Sequence, residues 1–123
     1  MRRPKKAWLA RCWKKSAGRV RRGEVWWAQL PPPVGRRPVL LLSRDRAYRV
    51  RTAVNVAPVT KTIRGIPVEV PIGLEDGMPE ACVVNLDSIL TIPKASVKER
   101  ITALTADRMA AVALAAKFAL DLE

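Results

Sequence analysis

A small antiparallel barrel or curled sheet with helical additions, ending in one helix, is the fold this sequence predicts. Three observations carry that expectation. Short runs rich in valine, isoleucine and tryptophan recur along the chain, each bounded by glycine or proline. The segments 66–72 and 81–87 alternate apolar and polar residues, as a half-buried strand does. A capped apolar stretch closes the chain and reads as its clearest helix. With 123 residues there is room for one domain and a real core.

Residues 24–30 read as the first strand. Adjacent side chains on a strand face opposite ways, so Trp26 and Trp27 cannot enter the same core. Trp26 shares a face with Ala28 and Leu30 and is expected inside, leaving Trp27 to meet a partner subunit, a helix or a ligand. Prolines 31–33 end the strand and Gly35 allows a turn. Residues 38–43 form a nearly all-apolar second strand, 44–51 a basic linker with one helical turn, and 52–60 a third strand. After the turn at Gly65 come the strand 66–72, an acidic loop 73–80, strands 81–86 and 89–92, and a short turn or helix at 96–100. Thr105 is placed to cap the final helix, with Asp107 in its first turn. The helix 109–122 has few polar residues, so much of its circumference should be covered by the barrel and a dimer contact.

The net charge is +12, unevenly spread: +10 over residues 1–22, +6 over 23–64 and −4 over 65–123. A polyanion partner is the leading physical reading of the basic part. Residues 1–21 are set apart as a basic extension, either a disordered tail or an amphipathic helix built on Trp8, Leu9, Cys12 and Trp13; residues 22–123 form the domain. Two isolated cysteines imply no disulfide framework, and a reducing cytoplasm fits them best. No apolar run is long enough to span a bilayer, so no membrane role is expected. The chain has no histidine, which removes imidazole proton shuttles, Ser/His and Cys/His nucleophile pairs and most zinc sites. No metal site and no cofactor is expected. If the chain is an enzyme, its chemistry falls to arginine, lysine, carboxylate or hydroxyl groups.

Four segments stand in a telling order: Arg22-Gly23-Glu24-Val25-Trp26-Trp27, then Gly35-Arg36-Arg37-Pro38-Val39-Leu40, then Ala57-Pro58-Val59-Thr60, then Val84-Asn85-Leu86-Asp87-Ser88-Ile89. In order and spacing this set resembles the MazF/PemK family of toxin endoribonucleases, from about Arg22 to Leu122. The resemblance implies an SH3-like barrel, a homodimer, metal-independent and sequence-selective cleavage of single-stranded RNA, and a cognate acidic antitoxin. It also implies a catalytic pair, here Arg37 and Thr60, and an RNA-contacting acid, here Asp87. Further RNA contacts are expected from Val34, Gly35, Arg36, Ser43, Lys61, Asn85 and Ser88. The segment 31–36 is shorter than in many members, and Leu90 replaces an arginine common after the acidic motif; both bear on which sequence is cut.

Read from the residues alone, Arg37 sits where a turn delivers it to a strand start, and Thr60 and Lys61 where a strand meets a loop. The alternation in 81–87 sends Cys82, Val84 and Leu86 into the core and Asn85 and Asp87 outward together. The bland alternative is that Asn85 and Asp87 cap the following turn. Two other functions compete: a non-catalytic nucleic-acid-binding barrel, and a gyrase poison resembling CcdB. The latter's terminal tryptophan motif is missing from Asp121-Leu122-Glu123.

Overall fold

The computed structural model describes residues 20–122, so the stretch around Trp8, Cys12 and Trp13 lies outside the described residues. In chain order the elements are β1 (Glu24–Gln29), β2 (Arg36–Leu41), the one-turn helix α1 (Ala47–Val50), β3 (Ala53–Thr60), β4 (Glu69–Ile72), β5 (Cys82–Asn85), β6 (Leu90–Pro93), β7 (Val97–Ala103) and α2 (Ala106–Ala119). Tight 3-10 turns occupy Leu74–Asp76, Leu86–Ser88 and Lys94–Ser96.

The strands form one curled antiparallel sheet in the order β4-β5-β3-β2-β1-β7, with β6 also paired to β3. The curl originates in β3. It pairs with β2 at Val39↔Pro58 through Leu41↔Val56, then leaves that partner and pairs with β5 at Val59↔Val84 and Thr60↔Val83. One strand thus serves two halves of the sheet, giving a half-barrel with apolar side chains on both faces.

Trp26, Ala28 and Leu30 pack with Val39, Leu41, Tyr48 and Ile92 in one buried cluster, as their shared face requires. Val25, Leu40, Val59, Val84 and Leu86 build the other, which Val112 and Ala115 of α2 cover. Val20, only 4% exposed, joins the first cluster, and the Arg22 backbone N–H donates to Asp45 Oδ1 at 2.7 Å. The ordered packing therefore begins ahead of the first matched motif.

Thr105 caps α2 as expected, its side chain accepting from the Arg108 N–H at 3.3 Å. The helix starts earlier than the apolar pattern alone suggests because the cap, not the first large apolar residue, sets its origin. Its outer face is not covered by the described residues: Leu114 and Phe118 stay exposed.

Three expectations need correction. The segment 96–100 is not a turn or short helix; only Lys94–Ser96 is, and residues from Val97 run along β1 as β7. Cross-strand charge pairs stabilise this polar strand, Arg100 to Glu24 and Glu99 to Arg36, each at 3.0 Å. Strand β4 is shorter than 66–72 because Glu69 turns back on the chain before it, accepting from the Arg64 and Gly65 N–H groups at 2.9 and 3.0 Å. Strand β5 shows no polar face, since all of Cys82–Asn85 is buried between β3 and β4.

Candidate active site

The β1–β2 hairpin delivers the two arginines. The Leu30 N–H donates to the Gly35 carbonyl at 2.9 Å, and Gly35 takes φ 68°, which costs a residue without Cβ little. The register then places Gln29 opposite Arg36, Ala28 opposite Arg37 and Trp27 opposite Pro38. Arg36 is committed to the protein. Its guanidinium carbon lies 4.7 Å from the centroid of the Trp27 ring, and its Nη2 pairs with Glu99 at 3.0 Å. Arg37 has no ion pair or side-chain hydrogen bond among the described residues.

Extending the β2–β3 register two residues past Val39↔Pro58 puts Thr60 opposite Arg37. No ladder forms there, because β3 has already turned to β5. The wedge between the diverging strands is a cavity of about 390 Å³, bordered by Trp27, Arg36, Arg37, Thr60, Lys61 and Glu80. Val59, Met78, Cys82 and Ile101 also line it. Thr60 Oγ1 accepts from the Thr62 N–H at 3.2 Å, which holds the side chain while its own O–H stays available to donate. Lys61 crosses the rim to Glu80 at 3.3 Å.

The cavity thus joins Arg36, Arg37, Thr60 and Lys61 from the sequence expectations. Val34 and Gly35 lie just outside it in the hairpin turn, with Val34 exposed. Ser43 is at the opposite end of β2, where its Oγ accepts from the Asn55 N–H at 2.9 Å. Asn85 is 9% exposed and caps the 3-10 turn: its Oδ1 accepts from the Asp87 N–H at 2.9 Å and its Nδ2 donates to Ser88 Oγ at 3.4 Å. Asn85 and Asp87 therefore do not project together. Asp87 and Ser88 are exposed on a turn that contacts α2, away from this chain's cavity lining.

Sequence reasoning missed Glu80, Met78, Cys82 and Ile101 as lining residues. A signal existed for Glu80, an acid directly before the buried strand and opposite a lone lysine. Ile101 carried none, because its strand was not expected. Burial, then the charges of Glu80 and Asp76, push the Cys82 thiol up, which keeps it protonated and poorly nucleophilic at neutral pH.

Comparison with known proteins gives a consistent picture. Residues 21–120 match the family model described as PemK-like, MazF-like toxin of type II toxin-antitoxin system. The probable endoribonuclease MazF5 of Mycobacterium tuberculosis is 44% identical over 102 residues, spanning 81% of this chain and 92% of that protein. The probable endoribonuclease MazF2 of the same species is 42% identical over 91 residues, 73% and 87% of the two chains. Among solved structures, the M. tuberculosis toxin MazF-mt6 superposes with a TM-score of 0.76 at 37% identity, covering 81% of this chain and 98% of that one. A mycobacterial endoribonuclease in complex with its cognate antitoxin gives 0.75 at 28% identity, with 85% and 97% covered.

Proposed function

Because this chain belongs to the PemK/MazF-like toxin family and is an endoribonuclease of a toxin–antitoxin system, we propose that it cuts single-stranded RNA at selected sequences, without metal, using Arg37 and Thr60. The observation that carries this reading is their placement: Arg37, among the described residues without a protein partner, lines the same open cavity as Thr60, where β3 has left β2.

RNA brings its own nucleophile, the 2′-OH beside each phosphate. The protein has to align that oxygen in line with the leaving 5′-oxygen and stabilise the added charge on the phosphorane. A guanidinium presents forked donors that match two phosphate oxygens, and arginine stays protonated near neutrality. Arg37 is therefore the clamp on the developing charge and a proton source for the leaving oxygen; the 2′-OH proton passes to solvent water, which returns one to Arg37. The Thr60 hydroxyl, held by Thr62, adds a second donor. Trp27 with Arg36 stacked on it supplies a flat wall beside the phosphate site. DNA lacks the nucleophile and should not be cut. Cleavage should leave a 5′-hydroxyl and a 2′,3′-cyclic phosphate or its hydrolysis product.

The working unit is a homodimer in a cytoplasmic setting, silenced by an acidic antitoxin that covers the same basic cavity. The exposed apolar Leu114 and Phe118 support a protein contact on α2, and among the described residues no helix is long and apolar enough to cross a membrane. The test is to digest total RNA in excess EDTA and sequence the 5′-hydroxyl ends. One recurring cut sequence that persists in EDTA supports the proposal. Restoration of a lost activity by magnesium would overturn its metal-free part, and RNA binding without cutting would overturn catalysis.

A further inference from the structure

The catalytic cavity is not where most of the free positive charge of the body lies. Around the sheet, most cations hold carboxylates: Arg36 with Glu99, Lys61 with Glu80, Arg64 with Glu69, Arg100 with Glu24 and the half-buried Arg108 with Glu75 and Asp76, while Lys98 and Lys117 stand singly without an ion pair among the described residues. The connection between β2 and β3 is different. Arg44, Arg46, Arg49 and Arg51 are all exposed there, and among the described residues none has an ion pair. The acid in this stretch, Asp45, is used by the backbone N–H of Arg22.

The cluster is anchored to the rest of the fold at several points. Tyr48 and Ala47 are buried under α1, the Lys94 ammonium donates to the Tyr48 carbonyl, and the Arg22 guanidinium donates to the Leu42 carbonyl. Arg46 and Arg49 stand three residues apart, which places them on one side of the turn. They border two neighbouring depressions, one of about 390 Å³ with Arg44, Ala47 and Val50, the other of about 410 Å³ with Val20, Arg21, Asp45 and Tyr48. Gathering four arginines around the single carboxylate of Asp45 opposes folding. Their display on an anchored turn fits an anionic partner.

We propose that Arg44, Arg46, Arg49 and Arg51 form a second RNA-binding site, which holds the backbone of the same strand several nucleotides from the bond being cut. The proposal rests on the RNA-cleaving function proposed above. Geometry sets its scale: α1 follows the end of β2 while Arg37 is near its start, and the Arg37-to-Leu41 span alone is about 13 Å at the usual strand rise. A minimal substrate filling the catalytic cavity would not reach the cluster, whereas a longer one would. Phosphate contacts of this kind add affinity and salt dependence without reading bases. The cluster thus makes the enzyme favour long, unpaired RNA over short fragments, including its own products.

The test compares RNA probes of about six and about thirty nucleotides sharing one cut sequence, a short probe being near the smaller single-strand site sizes. Binding is measured with Arg37→Ala protein and cleavage with the native active site, each with and without Arg46→Gln/Arg49→Gln. The double variant should lower affinity for the long probe at least tenfold and flatten its salt slope by about 1.4, for two phosphates of the single strand left without a cation. Affinity and kcat for the short probe should not change, and Arg46→Lys/Arg49→Lys should restore most of the long-probe affinity. An unchanged long-probe affinity and slope in the folded glutamine variant would overturn the second site. If the native chain cuts neither probe while binding both, the endonuclease reading fails instead, and the length dependence of binding still decides the cluster's role.

Discussion

The Arg36 guanidinium stacks over Trp27 at 4.7 Å and is tied at its edge to Glu99, so adjacent arginines in one strand have opposite fates. Arg36 is part of the wall, and Arg37 faces the cavity without a protein partner among the described residues.

This division predicts a split between the two alanine variants. Arg37→Ala should reduce cleavage roughly 10²-fold or more, as loss of a transition-state donor commonly does. Arg36→Ala should act mainly on KM, because it removes a stacked wall and not the clamp. Thr60→Ala should lose less than Arg37→Ala, and Thr60→Ser should keep part of the activity. Single-turnover rates on one oligonucleotide at saturating enzyme separate these cases. Normal cleavage by Arg37→Ala would show that the catalytic clamp lies elsewhere.

A second prediction concerns closure of the half-barrel. Thr102 Oγ1 donates to the Asp76 carbonyl at 2.8 Å, linking β7 to the turn after β4. Gly77, next in the chain, has φ 89°, and a Cβ there would stand 2.9 Å from Thr102 Cβ. Gly77→Ala should therefore destabilise by roughly 1–3 kcal/mol through backbone strain and overpacking. Thr102→Ala alone should cost about 1 kcal/mol, the usual net worth of a hydrogen bond. Urea unfolding of both single variants and the double variant reads the coupling: the pair should be less than additive, since Thr102→Ala removes the hydroxyl, the atom nearest the new methyl, although Cβ of residue 102 remains. Strict additivity would mean that Thr102 is not what limits residue 77.

Much of this architecture is legible in sequence because it depends on local patterning. The opposed faces of Trp26 and Trp27, the single helical turn after β2 and the Thr105 cap follow from period, punctuation and capping chemistry. Arg37 and Thr60 are reached through the family resemblance, with a turn and a strand end consistent with it, whereas their shared cavity depends on where β3 leaves β2 and is not legible. What escapes depends on partners distant in the chain. Lys98, Glu99 and Arg100 read as turn residues, and it takes pairing with β1, with Glu24 on that strand and Arg36 beyond it on β2, to make them a strand. Alternation alone points Asn85 outward. It is buried because β5 lies between two strands, and its polar groups are satisfied by the turn that follows.

Acid should unfold the protein through two particular carboxylates. Burial pushes the Asp76 carboxyl up, but the Arg108 guanidinium and the Gly73 N–H outweigh it and hold it below its ordinary value. Glu69 behaves alike, its burial outweighed by hydrogen bonds from Arg64 and Gly65. A folded-state pKa below the unfolded one gives stability that is fully present above the unfolded carboxyl range, near about 4. That stability is lost as pH falls through the folded value. Urea midpoints should therefore hold from neutrality to about pH 5 and fall steeply below it. Asp76→Asn should be less stable at neutrality, with a flatter acid limb. An acid limb as steep as the parent's would assign the transition to other groups.

The last prediction separates the basic extension from the folded body. Val20 is 4% exposed and packs with Trp26 and Tyr48, while Arg21 and Arg22 are exposed. Two truncations that differ by very little should therefore behave differently. A chain beginning at Val20 should fold and cut RNA, with lower affinity and a salt slope flattened by about 0.7 for each single-strand phosphate that the extension would otherwise neutralise. A chain beginning at Arg22 removes Val20 as well, and exposing that site should cost roughly 1.5–3 kcal/mol. Thermal melts report the second effect and salt-dependent RNA binding the first, so each reads its own residue. Equal melting of the two truncations would show that Val20 is not anchored in the core. An inactive chain beginning at Val20 would show that residues 1–19 belong to the catalytic unit rather than adding charge to it.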